Sequence, residues 1–168
     1  NITLDCAGHT ITGPGRTSGV SGVLVFQRTG ITVENCVLQD FNSGFQIDQS
    51  DGNKFTNNSI LRVRQGFTLQ DSDSNTLINN SVTDADDWFG YGILDGSDTN
   101  ELRENEATGV KGVGFIVWAS SNNVLTDNVA SDNFGNGFGA NEIGTVGNTF
   151  TGNTANNNTL WGIEDQTP

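Results

Sequence analysis

The feature that most constrains this chain is a repeat. The octet Ile31 to Leu38 aligns with Asn53 to Ile60, Asn75 to Val82, Asn100 to Ala107, Asn123 to Ala130 and Asn148 to Ala155, at spacings of 22, 22, 25, 23 and 25 residues. Each unit reads Asn-x-apolar-x-x-Asn-x-apolar and is followed by a glycine and an apolar strand. The third position holds Val33, Phe55, Leu77, Leu102, Leu125 and Phe150. The sixth holds Cys36, then Asn58, Asn80, Asn105, Asn128 and Asn153. The glycine column reads Gly22, Gly44, Gly66, Gly92, Gly114, Gly137 and Gly162, and the next residue is always apolar: Val23, Phe45, Phe67, Ile93, Phe115, Phe138 and Ile163.

A period of this length, with room for three short strands per unit, marks a solenoid whose coils stack as parallel strands. The spacing predicts one all-β domain over 1–168, with about seven coils of 22–25 residues and three strand columns. One rise of ~4.8 Å per coil makes a rod of roughly 34 Å. Inward apolar residues form continuous stacks. An inward asparagine at a turn both accepts and donates along the stack, satisfying backbone groups that the sheets leave unpaired. The glycine column is expected to supply turn dihedrals that a β-carbon forbids. Composition agrees: 22 glycines and as many asparagines disfavour helix, and ten Phe with three Trp disfavour disorder. No apolar run reaches the ~18 residues of a membrane helix. The net charge of −13 repels nucleic acid and anionic membranes, so neither is an expected partner.

The repeat and the opening Asn1-Ile2-Thr3-Leu4-Asp5-Cys6-Ala7-Gly8-His9-Thr10-Ile11-Thr12-Gly13 resemble the right-handed parallel β-helix family of pectin-lyase-like and NosD-like proteins. The resemblance covers essentially the whole chain. It implies a single-stranded right-handed parallel β-helix. It is specific for fold and much less so for function, because the group includes sugar-processing enzymes, binding proteins and metal-maturation accessories.

Departures from the period map to loops. Thr12 to Ser21 is inserted in coil one. Asp86-Asp87-Trp88-Phe89-Gly90-Tyr91 stands before Gly92 in coil four, where coil three has only Arg64 and Gln65. Both additions fall at the corner between the second and third strands. By column, Asp40, Arg62, Arg64, Asp84, Asp86, Lys111 and Asp132 gather on the outer side of the second strand, with arginines between carboxylates. Leu94, Ile116 and Trp118 point outward from the third, and Trp161 recurs at the corner of Tyr91 three coils on.

This reading leads to an extracellular or cell-surface, secreted domain that binds polysaccharide. Trp88, Tyr91, Trp118 and Trp161 are expected to stack on sugar rings. The alternatives are a non-catalytic surface-layer, adhesin or filament segment, and a uronate polysaccharide lyase. For a lyase, Arg62, Arg64, Lys111 or Tyr91 would supply the base, with Asp84 beside it. Asp84, Asp86 and Asp87 are candidate calcium ligands; no other cofactor is expected. Copper wants Met, His and Cys ligands, and the chain has no Met, one His and two Cys. Cys6 and Cys36 lie in successive coils at nearly matched columns, as a disulfide or as two buried thiols. The start inside a strand, without initiator Met or signal segment, reads as part of a longer chain, and the two sheet edges at the ends predict end-to-end self-association.

Overall fold

In the computed structural model, which describes residues 1–141 and 145–165, the three strands expected of each coil are all present. Twenty-one strands form three seven-stranded parallel sheets, and each strand pairs only with the equivalent strand of the coil before and the coil after. The described residues contain no helix. The first sheet runs from Ile2–Asp5 to Thr149–Thr151, the second from Thr10–Thr12 to Thr154–Asn156 and the third from Ser21–Phe26 to Ile163–Asp165. The result is a parallel β-solenoid of seven coils.

Its core is built from columns. Phe45, Phe67, Tyr91, Phe115 and Phe138 stack face to face, with ring centroids 4.5, 5.2, 4.5 and 5.0 Å apart and planes within 11° of parallel. Phe55 closes edge-on against Phe45 at 5.4 Å. The second sheet contributes Leu38, Ile60, Val82, Ala107 and Ala130, all buried.

This stack corrects the register of coil four. Tyr91 pairs with Phe67 and Phe115, so Gly90 and Tyr91 occupy the glycine and ring positions that the periodicity gave to Gly92 and Ile93. Gly92 instead faces outward, where a β-carbon would meet the Phe89 ring at 2.7 Å. The reason for glycine in the column also differs from expectation. Gly44, Gly66 and Gly90 do not have positive φ. What they lack is space: a β-carbon on Gly44 would lie 2.6 Å from Ile60 and 2.9 Å from the carbonyl oxygen of Gly66. Positive φ falls elsewhere, on residues just before the turn asparagines, including Asn57, Asn79, Glu104 and Asp127.

The asparagines form ladders as expected. At the second turn, the N–H groups of Cys36, Asn58, Asn80, Asn105 and Asn128 each donate to the Oδ1 of the next coil's asparagine at 2.8–3.0 Å. The amide nitrogen of each asparagine donates back to a strand-end carbonyl, as Asn80 does to Phe55 at 3.0 Å. A parallel ladder, Asn53 to Asn148, runs along the first turn. Cys6 and Cys36 are disulfide-bonded, Cα to Cα 4.8 Å, at the foot of the second ladder.

Candidate functional site

The two insertions meet. From coil one, the loop after Thr12 is tied down by Asn42, whose Nδ2 donates to the Arg16 carbonyl at 2.9 Å and whose N–H donates to Val20 at 2.9 Å. This carries Arg16 up the corner to coil four, where its guanidinium grips Asp84 at 2.7 Å and Asp86 at 2.8 Å. Burial opposes the Arg16 charge, but the hydrogen bonds to Asp86 and Asp84 outweigh it and push its pKa up. Alongside, Arg62 makes a two-pronged contact with Asp40 at 2.9 and 3.1 Å, and Arg64 meets Asp87 at 2.8 Å. The hydrogen bond from Arg62 holds the Asp40 carboxyl below its usual range.

Beside this lattice lies an aromatic platform on the outer face of the third sheet. The smallness of Gly92 lets Phe89 lie flat on the sheet, 1% exposed. Trp88 leans on Phe89 at 5.9 Å and meets Trp118 edge-on at 5.6 Å. Ile116, expected to be exposed, is buried at 2%, while Trp88 remains 47% exposed. The platform is therefore a small second core outside the solenoid, with one half-exposed indole held over it.

Of the expected site residues, the structure brings Trp88 and Trp118 together, pairs Arg64 with Asp87 and gathers Asp84 and Asp86 on one arginine, and it sets Tyr91 and Trp161 apart from the tryptophan pair. Tyr91 is a correction: it is 1% exposed and inside the ring stack, where its hydroxyl donates to the Asn80 carbonyl at 2.8 Å. Burial raises its pKa well above the ordinary value, so it is available neither for sugar stacking nor as a base. Trp161 is 59% exposed and continues the column of Phe89, Val113 and Asn136 rather than that of Tyr91. Arg62 and Arg64 are paired cations, and a guanidinium does not give up its proton in a protein. Lys111 is exposed and makes no ion pair among the described residues. Asp84 and Asp86 converge, but on Arg16, and Asp87 turns to Arg64. No group of three His, Cys, Asp or Glu side chains suited to a metal ion occurs among the described residues.

Sequence reasoning missed Arg16 and Phe89. The only signal for Arg16 is that both insertions occupy one corner. For Phe89 it is Gly92, three residues on.

Residues 3–166 match the sequence profile of a family described as periplasmic copper-binding protein (NosD). No curated protein matches the chain. A periplasmic family and the Cys6–Cys36 disulfide both fit a location outside the reducing cytoplasm. The donor set does not fit copper. His9 is exposed and stands alone, both cysteines are spent on each other, and there is no methionine.

Proposed function

The chain belongs to the NosD family, and from that premise we propose that it is a secreted polysaccharide-binding β-helix domain. The observation that carries this reading is the Trp88–Trp118 pair, set edge-to-face on the outer sheet and backed by buried Phe89 and Ile116. A half-exposed indole held by packing covers the apolar face of a sugar ring with little entropy left to lose. The arginines and aspartates beside it offer donors and acceptors to hydroxyl groups. Trp161, three coils further and roughly 14 Å away at one strand spacing per coil, extends the contact along the rod.

The test is a glycan array followed by affinity electrophoresis on the glycans that respond. Trp88→Ala with Trp118→Ala should reduce binding at least tenfold while the main transition on heating is kept. Trp161→Ala should weaken only longer oligosaccharides. Unchanged binding by the double variant, or no glycan bound by the parent, would leave the aromatic platform as packing and favour the structural reading.

A further inference from the structure

The charge around the tryptophan platform narrows what it can hold. No lysine or arginine stands in any strand of the third sheet, and from Ser21–Phe26 to Phe138–Asn141 its strands carry one charged residue, Asp48. The polar side chains next to the platform are amides. Gln70 is exposed on the strand before, in register with Leu94, and Asn141 is half-buried on the strand after, in register with Trp118. Asp95, which accepts from Gln70 at 3.4 Å, adds a negative charge beside them. The cations of the adjoining corner are already engaged: Arg16 by Asp84 and Asp86, Arg62 by Asp40, and Arg64 by Asp87. Lys111 is the one cation at that corner with no carboxylate partner among the described residues.

We infer that the polysaccharide this platform takes is a neutral one: uncharged sugar rings lie on Trp88 and Trp118, and their hydroxyl groups exchange hydrogen bonds with the amides of Gln70 and Asn141. The inference rests on the polysaccharide-binding reading and adds the class of glycan to it. An amide both donates and accepts, as a hydroxyl does, so the pairing needs no charge on either side. Stacking on an indole likewise draws on the apolar face of the sugar ring. A uronate or sulfated chain fares differently. It brings its negative charges to a protein of net charge −13, whose platform is bordered by Asp48 and Asp95 and offers no cation of its own. Taking such charges out of water without partners is costly. A bridging calcium would have to take Asp84, Asp86 or Asp87 from the arginines that hold them. The uronate substrate of the lyase alternative therefore does not suit this surface.

The test is affinity electrophoresis of the whole chain in gels holding a neutral polymer (xyloglucan, galactomannan or mixed-linkage β-glucan) or an anionic one (polygalacturonate, alginate or chondroitin sulfate). The anionic gels are run with and without calcium. At least one neutral polymer should retard the parent, with a dissociation constant that shifts less than about twofold between ~0.05 and ~0.5 M salt. Trp88→Ala with Trp118→Ala should weaken that binding roughly tenfold or more, and Gln70→Ala roughly threefold. The anionic polymers should not retard the chain. Retardation by an anionic polymer that Lys111→Ala or the tryptophan variant abolishes, with or without calcium, would overturn the inference and leave the polysaccharide-binding reading standing. So would neutral binding that salt removes or that Gln70→Ala leaves untouched. Retardation by none of the polymers, or neutral binding indifferent to the tryptophan variant, would instead remove the platform as a glycan site, and the inference falls with it.

Discussion

Tyr91 is the one position in the ring stack that carries a hydroxyl, and its neighbours in the column show what that costs. Phe67 and Phe115 stack on it at 5.2 and 4.5 Å, so Tyr91→Phe keeps the stack. It loses the bond to the Asn80 carbonyl, worth about 1 kcal/mol at neutral pH. At high pH the order reverses. Burial, with a smaller contribution from Glu106, raises the folded pKa, so the neutral phenol is the form the fold retains. Its contribution is whole below the unfolded value of about 10 and is lost as pH climbs from there toward the folded value. Parent stability should therefore fall above about pH 10 more steeply than that of Tyr91→Phe. Because the chain has a single tyrosine, tyrosinate absorbance should rise only as the parent unfolds. Tyrosinate formed in a still-folded parent would mean that the ring is not in the stack. The same residue shows where sequence reading slipped. Gly90-Tyr91-Gly92-Ile93 offers two alignments to a glycine–apolar column, and periodicity has no means of choosing. Packing chooses, because only the Gly90 register puts a flat ring between two others.

Strands and turns were legible in the sequence because each is repeated seven times at nearly one interval, so errors in a single coil average out. A serine ladder went unread in the sequence, although its spacing is there. Ser50, Ser72, Ser97 and Ser120 follow the asparagine spacing and accept backbone N–H groups in the same way. The loops were not legible, because an insertion occurs once and its path is set by whatever it touches. Nothing periodic says that Arg16 crosses to Asp84 and Asp86, or that Phe89 folds over Gly92. The Arg16 contact is a clasp on an element otherwise fastened near Asn42. With Asp84 half exposed, such a pair is worth about 0–1 kcal/mol. Arg16→Ala should leave the melting transition almost where it was and make the chain susceptible to proteolytic nicking between Thr12 and Ser21. A large loss of stability, or a loop as resistant as before, would show that the carboxylates are not what holds it.

At the scale of the whole molecule, the solenoid has no centre. Each coil touches the one before and the one after, so stability is close to a sum of coil and interface contributions. Cooperativity then depends on every interface being strong enough that no coil melts alone. Phe67 tests this in coil three, where it is fully buried, stacked on Phe45 at 4.5 Å and edge-on to Phe55 at 6.0 Å. Phe67→Asp removes rings from both adjacent interfaces and places an unpaired carboxylate among them. Loss of the aromatic packing alone costs about 3–5 kcal/mol, and the uncompensated charge adds several more. That sum is comparable with the whole stability of a domain this size, about 5–15 kcal/mol. The two flanking segments are also left unequal. Two coils below are closed by the disulfide, and four coils above carry the rest of the ring stack. Two coils are too few for a repeat array to hold by themselves, and the four above would have a newly opened edge at which the Asn75 and Asn80 side-chain oxygens lose the N–H donors of Asn53 and Asn58. Far-UV dichroism of Phe67→Asp should therefore show the loss of β-structure throughout, whereas Phe67→Leu, which keeps an apolar side chain in the column, should melt cooperatively at a lower temperature. A soluble Phe67→Asp protein melting in one step near the parent would mean that the ring column does not carry the fold.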